Sequence, residues 1–190
     1  MNNLPIKVPS TKCFGKQNKL NQFADQLRNQ VAMSGYLEVL TEALISIEDN
    51  FTKMNMEYKG ENSNAVILER STTKMKESFE IARTHLLPCL LKTARRNKSS
   101  PLPIQLFECS DVVLKDKTSD TGARNQRHLC AFYCSTSASL EVVHGLLDRV
   151  MLLLQVPPFF QTKTLDSYKL VKIDGKSFLI LSISFIFLIF

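Results

Sequence analysis

Hydrophobic residues recur at three- and four-residue steps in three stretches of this chain and alternate with polar ones in several others. Leu20, Phe23, Leu27 and Val31 fall on one face of a helix that Asn18 can cap and Gly35 can end. Leu86, Leu87, Leu90, Leu91 and Ala94 form a second helical stripe. Pro88 is tolerable there only in the first turn, where its missing N–H costs nothing, and the helix must stop before Ser99-Ser-Pro101. Leu140, Val143, Leu147, Val150, Met151 and Leu154 define the third helix, closed off by Pro157-Pro158.

The alternating stretches read as strands. Val39, Thr41, Ala43, Ile45 and Ile47 predict one with a single buried face. Residues 65–68 form a short apolar strand, 104–114 one strand or two with a bend, 127–134 another, and 168–173 a final one. Residues 50–64 are polar and make a loop or a short helix, and 116–125 a polar connection. Residues 1–17, punctuated by Pro5, Pro9 and Gly15, read as an irregular lead-in. Helices mixed with isolated strands, without regular β–α–β spacing, predict an α+β fold on an antiparallel sheet.

Composition narrows the picture modestly. At 190 residues, 44% hydrophobic and 22% charged, the chain has the means to bury one domain core. A net charge of +6 permits contact with a polyanion without naming one. The opening residues lack the apolar core of a signal peptide. Residues 178–190 hold 11 apolar residues, two serines and no charge. A membrane-spanning helix needs about 20 such residues, so this tail is too short to span, and its Ile and Phe content also suits a strand or an aggregation-prone end.

No local catalytic signature is present: no glycine-rich dinucleotide or phosphate loop and no nucleophile elbow. Five cysteines, an odd number without a Cys-x-x-Cys pair, suit a reducing compartment. His128, Cys130 and Cys134 share one face of a strand, but their spacing fits no usual zinc module, so they read as buried strand residues. His85, His128 and His144 are far apart in sequence and read as structural. Arg83 either binds a phosphate or carboxylate with its forked donors or pairs with Glu80, Glu108 or Asp111.

Longer segments carry a resemblance. Ala82-Arg-Thr-His-Leu-Leu-Pro-Cys-Leu-Leu91 and Leu106-Phe-Glu-Cys-Ser-Asp-Val-Val113 resemble, in order, two motifs of the phenylalanyl-tRNA synthetase beta-subunit family in its archaeal and eukaryotic form. Asp120-Thr-Gly-Ala-Arg-Asn-Gln-Arg-His-Leu-Cys-Ala131 and Glu141-Val-Val-His-Gly-Leu-Leu-Asp-Arg-Val150 continue the match. Met33-Ser-Gly-Tyr-Leu-Glu-Val-Leu40 resembles the first class II synthetase motif, a helix end and strand that form part of the dimer interface, although its expected proline is absent. Asn2-Asn-Leu-Pro resembles the tail of the preceding metal-binding module, and the likeness spans roughly residues 2–178. Cys89 stands where glycine is usual, residues 69–77 make the chain a few residues longer than the family there, and the uncharged tail replaces a Pro-Gly-Arg-like continuation.

The resemblance implies a division of the chain: 1–17 as the end of the metal-binding module and a linker, 18–178 as a catalytic-like but non-catalytic core, and 179–190 as a divergent tail. It implies a class II synthetase-like antiparallel sheet flanked by helices and incomplete at its C-terminus, and a truncated product. It further implies a cytoplasmic enzyme of two alpha and two beta subunits that joins phenylalanine to tRNA(Phe) using ATP and magnesium, with the active site in the alpha subunit. On that reading this fragment contributes no catalytic residue, no cofactor-binding residue and no metal ligand, and it has no membrane partner. No arginine follows Leu106 where a working site would hold the ATP phosphate, a loss that removes charge from the transferring phosphoryl. Gly145-Leu-Leu-Asp-Arg149 superficially matches the third class II motif but has the periodicity of an ordinary amphipathic helix. Residues 39–47 and the 86–94 helix are the candidates for core and subunit contact. The alternatives are a stand-alone RNA-binding or interaction module of the same fold, a tail-anchored membrane protein, and a truncated chain too incomplete to fold stably.

Overall fold

The computed structural model describes residues 15–60, 63–68, 79–137, 139–158 and 167–168. Two long antiparallel strands form its backbone: β4 (Ile104–Lys115) and β5 (Ala123–Cys134), in register from Ile104 opposite Cys134 to Lys115 opposite Ala123. Short β1 (Leu37–Glu38) lies parallel to β4, with Leu37 opposite Leu106. The three-stranded sheet, ordered β1-β4-β5, is therefore mixed, where the sequence reading expected a purely antiparallel one. A second, two-stranded sheet pairs β2 (Leu44–Ile45) with β3 (Ile81–Ala82). Bridges from Ile67 to Ile81 and from Ala65 to Leu114 bring the predicted 65–68 strand beside both sheets.

Each of the three apolar periodicities becomes a helix, and a single-turn helix lies between the first two. α1 (Lys19–Met33) begins as predicted, with the Asn18 side chain accepting a hydrogen bond from the Leu20 N–H. It ends through Ser34 and Gly35, whose φ of +90° is a conformation glycine adopts without strain. A Cβ there would also sit 3.2 Å from the Gln105 side chain. α2 (Ile47–Asn50) is a single turn, followed by a 3₁₀ turn over Thr52–Met54. α3 (Leu87–Arg96) carries Pro88 in its first turn and stops before Ser99. α4 is Leu140–Leu153.

Both faces of the larger sheet are covered, and the alternation along β4 and β5 assigns each residue to a face. Phe107, Leu129 and Ala131 pack under α1 and α4 with Leu27, Val31, Leu147, Val150 and Met151. Leu106, Val112, Cys130 and Phe132 pack under α3 with Leu86, Leu87 and Leu90. A strand covered on both sides loses its polar alternation, and Leu129 through Tyr133 are accordingly all buried.

The predicted single strand over 39–47 is not observed. Leu37–Glu38 joins β4, Leu44–Ile45 joins β3, and Ile47 starts α2. The apparent period of two came from residues serving two different sheets. The predicted β5 begins four residues earlier than expected, because the connection is a tight turn at 116–122 that closes with the Asp116 N–H donating to Gly122 O. Of the predicted 168–173 strand, Tyr168 bridges Pro158, and the remainder lies outside the described residues, as do 1–14, 69–78 and the tail at 178–190.

Candidate functional site: a buried charge cluster at the joint of the two sheets

Arg83 stands where the sheets meet. Its backbone N–H donates to Ala43 O beside β2, while its carbonyl accepts from the Val113 N–H of β4. This leaves the side chain pointing into the interior, 4% exposed, against Glu108 at 1%. The guanidinium Nη1 donates to Glu108 Oε1 at 2.8 Å and to Thr41 Oγ1 at 2.8 Å. Nη2 donates to Ser110 Oγ at 2.7 Å and to the Asp111 carbonyl, which also accepts from Nε. The two hydroxyls close the ring: Thr41 Oγ1 donates to Glu108 Oε2 at 2.5 Å and Ser110 Oγ donates to Glu108 Oε1 at 2.6 Å. All five guanidinium N–H groups thus have an acceptor.

This arrangement decides between the two readings of Arg83. A buried pair of charges is tolerable only when its hydrogen-bonding capacity is filled, as here. The guanidinium is consumed by Glu108 and presents no face to a phosphate. The other candidate partners are engaged elsewhere. Glu80 accepts from the Ile47 N–H at the start of α2. Asp111, on the opposite face of β4, takes a forked contact from Arg127 at 2.5 and 3.2 Å.

Beside the ion pair lies a polar relay that the sequence did not reveal. Asn50 Nδ2 donates to Thr84 Oγ1 at 2.9 Å, and Thr84 Oγ1 lies 3.0 Å from His85 Nδ1. Asn50, Thr84 and His85 are all buried. The Ser46-Ile-Glu-Asp49 start of α2, with the Asp49 N–H donating to Ser46 Oγ, was the local signal for the turn that delivers Asn50. Asp49 is a second anchor. Burial works to raise its pKa, but hydrogen bonds from Lys53, Lys92 and Ser46 outweigh that and hold the carboxyl well below its ordinary value.

The remaining sequence candidates separate. Cys130 is buried under α3 and its thiol is pushed up by burial, with the Glu108 and Cys89 charges acting in the same direction; Cys134 is half-buried. Among the described residues no group of three or more His, Cys, Asp or Glu is placed to hold a metal ion. Cys89 is a buried thiol that donates to Glu42 O at 3.5 Å. His144 is half-exposed on α4, 3.6 Å from Asp148. The Gly145-Leu-Leu-Asp-Arg149 stretch lies within α4, with Leu146 and Leu147 in the core and Arg149 on the surface, donating to Gln30 of α1 at 3.0 Å. Tyr168 donates a short hydrogen bond to Asp148. A cavity of about 150 Å³ adjoins the cluster at Thr41, between the 40–45 segment and α3, lined also by Leu40, Glu42, Cys89, Lys92 and Arg96.

A model of the phenylalanyl tRNA synthetase beta chain CLM domain matches residues 4–176. The chain belongs to that family. The phenylalanine–tRNA ligase beta subunit of Homo sapiens is 44% identical over 157 residues, covering 83% of this chain and 26% of the human protein. That of Drosophila melanogaster is 45% identical over 156 residues, covering 82% and 26%. The Arabidopsis thaliana relative, named a cytoplasmic beta subunit, is 40% identical over 156 residues, covering 82% and 25%. The chain spans about a quarter of the length of the curated relatives it matches. The CLM-domain match runs through the whole charge cluster, from Thr41 to Asp111, so the buried pair belongs to the family portion of the chain.

Proposed function

We propose that this chain serves as part of a phenylalanine–tRNA ligase beta subunit: a class II-like, non-catalytic domain that packs on the alpha subunit. The assembly of two alpha and two beta subunits would attach phenylalanine to tRNA(Phe) in the cytoplasm, using ATP and magnesium. This domain's contribution is positioning.

The observation that carries the reading is an apolar surface along the first-motif segment. β1 lies on the edge of its sheet, and Met33 at the end of α1, Leu37 in β1 and Leu40 just beyond it are 74%, 65% and 90% exposed. An exposed edge strand with apolar neighbours is a surface that proteins ordinarily cover, and obligate interfaces are apolar. The second candidate stripe is spent internally: Leu86, Leu87 and Leu90 are buried in the chain's own core, which favours the β1 edge over α3 as the contact surface. Arg83 is bound by Glu108 and β4 carries no arginine, which supports a non-catalytic reading. Among the described residues no helix is long and apolar enough to cross a membrane.

Co-expression with a tagged alpha subunit tests this. The chain should be retained with the alpha subunit, and Leu37→Asp with Leu40→Asp should cut retention about tenfold or more, since burying a carboxylate in an apolar contact is costly. Circular dichroism of the variant should match the parent, as both side chains are exposed. No retention of the parent chain, together with salt-sensitive RNA binding by the chain alone, would favour the stand-alone module instead.

A further inference from the structure

From Ile81 to Phe107 the chain has no acidic residue, and it carries Arg83, Lys92, Arg95, Arg96 and Lys98. Two of these cations are neutralised within the fold: Arg83 by Glu108 at 2.8 Å and Lys92 by Asp49 at 2.5 Å. Arg95, Arg96 and Lys98 are exposed, and among the described residues their side chains make no ion pair or hydrogen bond. The other described arginines are all engaged. Arg28 meets Asp25 and Glu38, Arg124 meets Asp116, Arg127 meets Asp111, and Arg149 meets Gln30.

The helix dipole favours cations at this end of α3, yet the last carbonyls already have donors. The Asn97 N–H serves Thr93 O and Ala94 O at 3.1 Å, and Asn97 Nδ2 donates to Thr93 O at 2.9 Å. The three charged side chains therefore remain available.

The turn that follows sets two hydroxyls beside them. The Ser100 N–H donates to Asn97 O at 2.9 Å, folding Ser100 back against the end of α3. Neither the Ser99 nor the Ser100 hydroxyl has a partner among the described residues. Residues 95–103 are all exposed, so an enzyme would meet Ser100 with accessible chain on both sides. Pro101 has no N–H and biases the residue before it towards extended backbone, the form in which a substrate chain lies in an enzyme groove. Ser100-Pro101 is also the one place in the sequence where a serine or threonine precedes proline.

We infer that Ser100 is a phosphorylation site for a proline-directed serine kinase, its phosphate held by the unpaired Arg95, Arg96 and Lys98 at the end of α3. Ser100 Oγ attacks the γ-phosphorus of ATP. The new O–P bond forms as the bond to the β–γ bridging oxygen breaks, ADP leaves, and the hydroxyl proton passes to the kinase's base. The product brings close to two negative charges and three acceptor oxygens to a surface that had only cations. Guanidinium forks pair with such a group through parallel N–H···O bonds. Nothing in this chemistry requires an alpha subunit.

The test is phosphorylation of the full chain by a purified proline-directed kinase with ATP, mapped by tandem mass spectrometry. One phosphate on Ser100 is expected. Ser100→Ala should abolish it, Pro101→Ala should slow it about tenfold or more, and Ser99→Ala should leave it unchanged. Circular dichroism should show the parent's helix content in each variant, since all three side chains are exposed. A phosphorus NMR titration of the phosphorylated chain is the second measurement. Neighbouring cations favour the dianion, so its second pKa should lie below the ordinary phosphoserine value and return to it when Arg95→Ala, Arg96→Ala and Lys98→Ala are combined. No incorporation, incorporation that survives Ser100→Ala, a rate indifferent to Pro101→Ala, or a second pKa at the ordinary value would each overturn the assignment.

Discussion

Arg83→Met is expected to cost about 3–5 kcal/mol of folding stability, among the largest effects of any single substitution in this chain. The reason is what it leaves behind. Glu108 is 1% exposed and would be left without its cation, held only by the Thr41 hydroxyl and N–H and the Ser110 hydroxyl. Urea unfolding followed by circular dichroism reads the change as a lower midpoint with an unchanged slope. Glu108→Gln should cost a similar amount, stranding the guanidinium instead. The double variant Arg83→Met with Glu108→Leu should recover most of the loss, because replacing both partners by apolar groups of similar volume is often close to neutral. Additive losses in the double variant would mean that the pair is not coupled as its geometry requires.

Phe107→Ala is expected to cost about 3–5 kcal/mol by a different mechanism, the loss of a large buried ring and the cavity that remains. Phe107 is fully buried among Leu147, Val150 and Met151 of α4 and Leu129 of β5. Its carbonyl also accepts from the Val39 N–H, so the residue anchors β1 to the sheet by backbone and core by side chain. The backbone bond survives the substitution, and the loss should therefore appear in the global transition. A loss below about 1 kcal/mol in the same urea assay would contradict the packing described here.

How far the sequence reached differs between elements for physical reasons. α1, α3 and α4 were legible because their apolar residues serve a single packed face, and Asn18, Gly35 and Pro88 punctuate them as their backbone chemistry requires. β4 and β5 were legible as strands, though not their twelve-residue pairing, which is a long-range event. The 39–47 stretch failed because alternation records that side chains point to opposite sides, and not which sheet the backbone joins. The α2 turn was overlooked although Ser46 and Asp49 carry a capping signal.

The candidate cluster was half legible. Glu108 was one of three possible partners for Arg83, and nothing local could choose among carboxylates 3, 25 and 28 residues away, since the choice depends on alternation along β4 sending Glu108 inward and Asp111 to the other face. The environment of His85 was not legible at all. Its burial is a tertiary event, and the Asn50 amide that bonds to its Thr84 partner arrives through α2.

On the proposed function, this domain supports a reaction carried out by a neighbour. ATP–pyrophosphate exchange with phenylalanine tests it most directly. The chain alone should give no exchange above background, because Arg83 is locked on Glu108 and β4 offers no arginine to the phosphate. Phenylalanine-dependent exchange by the purified chain without an alpha subunit would contradict it.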